Sequence, residues 1–567
     1  MRFIAGVDVG NTTTEVVIVD AAPTPPEPMA WDRAPTRGSK GSVEALWGAA
    51  GLVRRLERRI GRSVDLVAVA PQHPVETHAT SVSEPAPPTG RLEIIRAAGD
   101  TPGGTGTAVG VPVWAGSSPR WMDQPVVLLV PAGAGFRVAV DAVHAWTKAG
   151  TDVQGLLLAD DEGVLVAARL NVSLPVADQA DVHRAAAAQL VALEVRPPGH
   201  TLQVLVDPIR LSALLGLDNA ERPDAVRLAA ALGDASRAVI GVHAEPVAAA
   251  SRPAGEVLLR DQDRRAEFDA TLIASLPVGS VRRCTPPGLT QTESWEVDDL
   301  WVVGMREVAT SVSARIDSTT ARAVVLAALR SAPLETMPDV VLGRELDVPV
   351  RLIRAESQAA RAGALTTPGA RENSIVADLG GGTIDVMGSA GQEIVAAGGG
   401  EMLTAAVATY LRLPRGAADW VKRGPCSRLE APQLALAEDG VRTFLDRPAP
   451  LAAIGSLVAA GPAGMLPFGG SLAPAAWRSL RLRLKQRVLA DNLVRAMGSL
   501  GELAQDVLLV GGVAGDEELL GLLRPILPGV ALGRADVAGR LGHRYAVAYG
   551  LTLLAASESN SSGQARH

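Results

Sequence analysis

The sequence predicts an α/β protein built from two related halves. Three observations lead there. One motif occurs twice, as Asp8-Val9-Gly10-Asn11-Thr12-Thr13-Thr14-Glu15-Val16 and as Asp378-Leu379-Gly380-Gly381-Gly382-Thr383-Ile384-Asp385-Val386, both reading Asp-x-Gly-x-x-Thr-x-acid-Val. Apolar strands alternate with helical patterns around each copy, which calls for a sheet covered on both faces. A strand that runs through a Gly-Gly turn into a helix, Val507 to Asp516, follows both copies.

Each copy of the motif is a hairpin. Apolar strands precede the turns (Phe3 to Val7, Ser374 to Ala377) and follow them (Val16 to Val19, Ile384 to Met387). Turns rich in Gly, Thr and Asn aim backbone N–H groups and hydroxyls into one concavity, where an anion can sit. Gly10, Asn11, Thr12 and Thr13 on one side, with Gly380, Gly381, Gly382 and Thr383 on the other, would cradle phosphates. An aspartate before such a turn repels phosphate but can hold Mg²⁺ and its waters, which assigns Asp8 and Asp378 to the metal. One copy alone reads equally well as an ordinary hairpin; two in register favour phosphate.

Composition narrows the function. The chain has 567 residues, 47% of them hydrophobic, enough for several cored domains. Its 54 Lys plus Arg against 61 Asp plus Glu give a net charge of −7, which offers no general attraction to nucleic acid or an anionic membrane. Cys284 and Cys426 are far apart and read as two free thiols rather than a metal knuckle or cluster site. No apolar run is long enough for a signal peptide or a bilayer span, so the expected location is the cytoplasm.

In chain order, Ala21 to Ala30 reads as a loop, Ser42 to Ile60 as a helix and Val64 to Ala70 as a strand. Pro71 to Pro125 has no clear pattern, and its Thr101 to Thr107 run lacks the lysine of a P-loop. Strands Val126 to Val130, Val153 to Leu158, Val164 to Leu170 and Leu202 to Val206, with helices Phe136 to Lys148 and Ala180 to Leu193, make a further α/β unit. Asn219 to Val242 and Glu307 to Arg330 read as helices. Glu356 to Ala364 is a helix with small residues at Ala359, Ala360 and Gly363, suited to a close crossing between halves. Glu356 could face the metal or simply favour the helix N-terminus. Arg415 to Gly470 reads as an irregular insertion, and Trp477 to Leu500 as a long basic helix. Gly511, Gly512 and Val513 are candidates for the adenosine, with Lys485 or Arg487 stacking on its base.

The two motifs, the Glu356 to Ala364 helix and the Val507 to Gly515 turn resemble the actin, sugar-kinase and heat-shock-chaperone ATPase superfamily. That resemblance implies a duplicated ribonuclease-H-like fold binding ATP or ADP with Mg²⁺. A closer likeness lies in Ile4 to Asn11 with Thr13-Thr14-Glu15-Val16, Thr101-Pro102-Gly103-Gly104, Gly163-Val164-Leu165-Val166 with Arg169-Leu170, and Gly363-Ala364-Leu365-Thr366-Thr367-Pro368-Gly369. On these the chain resembles the large subunit of diol/glycerol dehydratase reactivase. The second hairpin departs from that family toward the heat-shock form.

The resemblance implies an actin-like ATPase with an inserted α/β swivelling domain and a connecting domain. It divides the chain into ATPase parts at 1–90, 336–414 and 471–556, a swivelling domain at 91–250, a linker and return at 251–335, an insertion at 415–470 and a disordered tail at 557–567. It implies a small-subunit partner and a client, an inactivated cobalamin-dependent diol or glycerol dehydratase, in the cytoplasm or a bacterial microcompartment. It maps a second metal, at the large–small contact, onto Thr101, Asp161 and Asp178. For hydrolysis, Asp378 or Glu356 is the candidate base. A small-molecule kinase and an actin-like scaffold remain as alternatives on the same fold.

Overall fold

A computed structural model describes residues 2–564 apart from 72–74, 84–88, 99–103, 198–199, 233–234, 248–254, 262–263, 288–292, 315, 317–319, 321, 332–336, 354, 470–471 and 503. The chain divides into two compact units: Met1–Val82 with Gly255–Val312 and Val324–His567, and Ser83–Ala254 with Ser313–Ala323.

The first unit contains one sheet plan built twice. Strands β1 (Phe3–Val9), β2 (Thr13–Asp20) and β3 (Glu27–Pro35) form a meander; helix α1 (Val43–Ile60) and strands β4 (Leu66–Val69) and β5 (Val350–Leu352) complete the first half. The sheet order is β5-β4-β1-β2-β3, with β1, β4 and β5 parallel. Helix α2 (Glu356–Ala364) leads to the second half: β6 (Ile375–Leu379), β7 (Thr383–Met387), β8 (Glu393–Ala397), helix α3 (Gly400–Leu411), then β9 (Asp506–Val510) and β10 (Ala531–Arg534). Its order, β8-β7-β6-β9-β10, repeats the same pattern of antiparallel meander and parallel pair. Helix α4 (Ala546–Gln564) ends the chain.

Local chemistry sets these elements. Helix α1 starts where the Ser42 side chain accepts from the Ala45 N–H and stops at Gly61 in the left-handed region. The central strand β1 is apolar and buried at Ile4, Ala5, Val7 and Val9, as a strand covered on both faces must be. Between the halves, α2 crosses α4 at backbone distance. A Cβ on Gly363 would lie 1.9 Å from the Ala546 carbonyl oxygen, and one on Gly550 would lie 1.8 Å from that of Ala359. Gly550→Ala therefore forces the helices apart and should lower stability by about 1–3 kcal/mol, read as a fall in the thermal midpoint. An unchanged midpoint would show that the crossing is loose.

The second unit holds a seven-stranded sheet in the order Val176–Ala177, Val153–Leu158, Val126–Val130, Gly106–Trp114, Leu190–Val195, Arg237–Val242, Leu92–Ala98. The first four run parallel and the last three add antiparallel pairs.

Several sequence expectations need correcting. The expected loop at Ala21 to Ala30 contains the start of β3. The patternless stretch Pro71 to Pro125 holds three strands, Val75–Ser83, Leu92–Ala98 and Gly106–Trp114. Val164 to Leu170 is helical over Gly163–Ala167, and Leu202 to Val206 forms turns. The helices expected at Ala180 to Leu193, Asn219 to Val242 and Glu307 to Arg330 each end early. Their second halves are buried strands, Leu190–Val195, Arg237–Val242 and Ala323–Ser331, because alanine-rich apolar runs satisfy either period and sheet burial decides. The insertion expected to be irregular carries a helix, Arg415–Val421, and a five-stranded antiparallel sheet between Ser427 and Phe468. Of the tail expected to be disordered at 557–567, the part to Gln564 continues α4, and 565–567 lie outside the described residues.

Candidate nucleotide site

The twin hairpins form the same turn. Gly10 N–H donates to the Thr13 carbonyl at 2.9 Å, and Gly380 N–H donates to the Thr383 carbonyl at 3.0 Å. The carbonyls around each turn are claimed from outside. Thr36 donates its hydroxyl to the Gly10 carbonyl (2.7 Å) and its N–H to that of Thr12 (3.0 Å). In the second turn the N–H groups of Gly398, Gly400 and Glu401 engage the carbonyls of Gly382, Gly380 and Gly381. With acceptors occupied behind, donors are what each turn can present to an anion. This strap needs glycine at position 399, where φ is 150° and a Cβ would lie 2.6 Å from the Gly380 oxygen.

The turns face one another. A Cβ on Gly381 would come within 3.0 Å of the Thr12 hydroxyl, and one on Gly382 within 3.0 Å of the Asn11 amide nitrogen. They open on a cavity of about 1050 Å³, large enough for a nucleoside triphosphate. The cavity is lined by Asp8, Gly10, Asn11, Thr12 and Thr13 from one half and by Asp378, Gly380, Gly381, Gly382 and Thr383 from the other, and also by Glu356, Gly511, Gly512 and Val513.

Five acids meet at its floor. In the strand registers Asp8 lies opposite Glu15, and Asp378 lies opposite Asp385. Each downstream acid accepts from the threonine two residues before it, Glu15 from Thr13 (2.7 Å) and Asp385 from Thr383 (3.2 Å). Glu356 joins them from the start of α2, 2.8 Å from the Lys40 ammonium. Burial holds the carboxyls of Asp8 and Asp385 well above the usual range, and neighbouring acids add to it. Burial, then Glu356 and Glu15, pushes Asp378 up to about 7. Burial alone would lower the Lys40 ammonium, but Glu356 and Asp8 outweigh it and hold it above its ordinary value.

Acids placed opposite each other in a strand pair repel, and one lysine does not neutralise five. The arrangement suits a hard divalent cation taken up by carboxylates and waters. The buried Asp385 Oδ1 has no hydrogen-bond partner among the described residues, so one acceptor is still available. Among the described residues no three of these side chains close on one ion, so the set fits Mg²⁺ held largely through its waters, with Asp8, Asp378 and Asp385 lining the cavity around it.

The Gly-Gly turn after β9 serves this floor directly. At Gly511, with φ of 86°, a Cβ would lie 2.1 Å from Asp378 Oδ1, so the missing side chain makes room for the carboxylate. His543 closes the turn from both sides: its carbonyl accepts from Gly511 N–H, and its Nδ1 lies 2.8 Å from the Gly511 carbonyl. Arg544 reaches the Gly512 carbonyl (3.2 Å) and stands 3.9 Å from Glu15.

Two assignments are overturned by geometry. Lys485 does not reach the cavity; it is fully buried, and its ammonium binds Asp516 and Glu518. Arg487 pairs with Asp491 at 2.9 Å and Glu307 at 3.1 Å and is likewise absent from the lining. The long helix turns these cations toward acids, because a buried charge without a partner is costly. The second-metal set is described only in part. Thr101 lies outside the described residues, Asp161 is exposed, and buried Asp178 gives one oxygen to Arg237 and the other to the Gly163 N–H (3.1 Å).

Sequence reasoning missed Lys40, Asp385, His543 and Arg544. Asp385 was in plain view as the second acid of the motif. Lys40 sits in a Gly/Ser-rich loop 316 positions from its partner Glu356, where no local pattern marks it. Both cysteines are buried and free. No helix among the described residues is long and apolar enough to cross a membrane.

A sheet plan repeated about one cavity, with phosphate-type turns contributed by both copies, defines the class of actin-like ATPases. Comparison with known proteins agrees: residues 287–555 match the diol dehydratase reactivase ATPase-like domain, and residues 93–246 match the swiveling domain of the same reactivating factor. Over these two stretches the chain is similar to the diol dehydratase reactivase family. It is 28% identical to the propanediol dehydratase-reactivating factor large subunit of Salmonella typhimurium and to the diol dehydratase-reactivating factor large subunit of Klebsiella michiganensis, each alignment covering 98% of both chains. Among solved structures it resembles a nucleotide-free diol dehydratase-reactivating factor (TM-score 0.64, 25% identity, 98% of this chain and 100% of that one). It also resembles a glycerol dehydratase reactivase in fold (TM-score 0.62, 24% identity, 98% and 100% covered).

Proposed function

We propose that this chain is the ATP-hydrolysing large subunit of a reactivating factor that, with a small subunit, frees damaged cobalamin from inactivated diol or glycerol dehydratase. The observation that carries the reading is the pair of acid-bearing turns facing one cavity, in a chain whose full-length relatives bear that name. Asn11, Thr12 and Thr13 with Gly381, Gly382 and Thr383 bind the phosphates through N–H groups and hydroxyls. Mg²⁺, held by Asp8, Asp378 and Asp385, supplies positive charge against the phosphate oxygens. Gly511, Gly512 and Val513 flank the adenosine.

Of the two candidate bases, Asp378 is the better placed. Its carboxyl lines the cavity from the strand that enters the second phosphate turn, where an attacking water has to be positioned. Glu356 is committed to Lys40. Lys40 then has a second task, holding Glu356 off the phosphates while offsetting the negative charge of the floor. ATP and ADP differ in the charge the floor must accommodate, and that difference can bias the conformation through which a partner is held. We place this activity in the cytoplasm.

The test is to mix the purified chain, its small subunit and Mg·ATP with a glycerol-inactivated dehydratase and fresh coenzyme. Dehydratase activity should return with the wild type and stay absent with Asp8→Ala. An ATP-hydrolysing complex that restores nothing would overturn the client assignment.

A further inference from the structure

Outside the two repeated halves, the first unit carries a small sheet in the order Asp299–Gly304, Ala323–Ser331, Val75–Ser83. It reaches the second phosphate turn at two places. The first is Asp299, 2% exposed. Its Oδ2 accepts from the Ala397 N–H at 2.8 Å, its Oδ1 accepts from the Gly279 N–H at 2.9 Å, and it is ion-paired with Arg495. Arg495 in turn lies over the Trp301 ring and donates to Asn492 (3.1 Å), whose amide donates to the Ala397 carbonyl at 2.8 Å. Both backbone groups of Ala397 are thus held by side chains, and Ala397 is the residue from which the Gly398–Glu401 strap behind the turn begins.

The second place is Thr77. Its buried hydroxyl has no hydrogen-bond partner among the described residues, an unusual state for a group that can both donate and accept. It packs against the turn: a Cβ on Gly382 would lie 2.9 Å from it and 3.0 Å from the Asn11 amide. Thr77 therefore stands where the two phosphate turns meet, with a hydrogen bond to give.

We propose that this three-stranded sheet senses the phosphate turn, with Asp299 holding the strap behind it and the Thr77 hydroxyl gaining a partner at Gly382 or Asn11 when phosphate enters. Phosphate that draws the Gly381 and Gly382 N–H groups toward itself moves a peptide already in contact with Thr77 and already tied through the strap to Asp299. The sheet is well placed to pass that on. Val75–Ser83 ends where the chain enters the second unit, and Ala323–Ser331 begins where it comes back. The inference rests on the nucleotide reading above and adds the route by which occupancy is read.

Amide hydrogen exchange of the full chain, with and without Mg·ATP, tests it alongside calorimetric ATP binding. Mg·ATP should slow exchange in residues 299–304 and 323–331 of the wild type by at least about threefold, as a coupled element must respond to its ligand. Thr77→Val keeps the shape and removes only the hydroxyl; ATP affinity should stay within about twofold while at least about half of that protection is lost. Asp299→Asn should weaken both binding and protection. Wild type that binds ATP without protecting these strands, or Thr77→Val that protects them fully, overturns the sensor and leaves the nucleotide site standing. Absence of ATP binding by the wild type would overturn both.

Discussion

Alanine at position 8 or 378 is expected to lower ATP hydrolysis by about 10³-fold or more, roughly 4 kcal/mol of transition-state stabilisation, in a chain that still folds. The two residues are equivalent by construction, each the second-to-last residue of the strand that enters a phosphate turn and each opposite a second acid. Their losses should nevertheless differ in kind. Asp8→Ala removes a carboxylate from the cation floor, so its defect should shrink as Mg²⁺ is raised. Asp378→Ala removes a cation oxygen and the candidate base together, so raising Mg²⁺ should recover only part of its defect and the remainder should appear in kcat more than in KM. Folding should survive, because these acids repel one another: taking one away relieves repulsion that burial has amplified. Phosphate release at several magnesium concentrations, with thermal midpoints on the same samples, decides the matter. An Asp378→Ala chain hydrolysing ATP within about threefold of wild type would remove that residue from the mechanism.

What could be read from the chain depended on whether the physics was local. The repeated hairpin motif is local, and Asp8, Asp378 and the glycine-rich turns were visible in it; the structure sets them on one cavity. Small residues along Glu356 to Ala364 likewise announced a close helix crossing, and Gly363 lies against the Ala546 carbonyl. Failures cluster where tertiary burial chose between equally good local options. The segment Arg237–Val242, alanine- and valine-rich, reads as the end of a helix but is buried along its whole length as a strand. Lys485 failed for a different reason. Its neighbourhood, a basic helix near a Gly-Gly turn, is compatible with a stacking cation, but the direction of the side chain depends on Asp516 and Glu518, about thirty residues later. Lys40 could be found only once the fold had placed it beside Glu356.

Stability of the metal-free chain should fall as pH rises from about 4 to about 7, the reverse of the usual acid-denaturation trend. Asp378 keeps its proton up to about 7 when folded and gives it up near 4 when unfolded. Between these values the folded state binds the extra proton, so each increment of pH favours unfolding; below the window both states are protonated and the stability is fully present, and above it the loss is complete. Asp8 and Asp385, both held above their ordinary values by burial and neighbouring acids, act in the same direction. The combined loss should be on the order of a few kcal/mol. A cation binds the deprotonated carboxylates, so Mg·ADP affinity and the stabilisation it confers should grow across the same window, cancelling the decline. Denaturant unfolding of wild type and Asp378→Asn at about pH 5 and about pH 7.5 isolates the effect. Asparagine cannot titrate, so the variant should lose less stability than wild type over that interval when metal is absent, and Mg·ADP should rescue wild type more than the variant. Parallel pH curves for the two proteins would mean that the acids on the cavity floor are not poised against one another, and the case for a cation at that floor would fall with them.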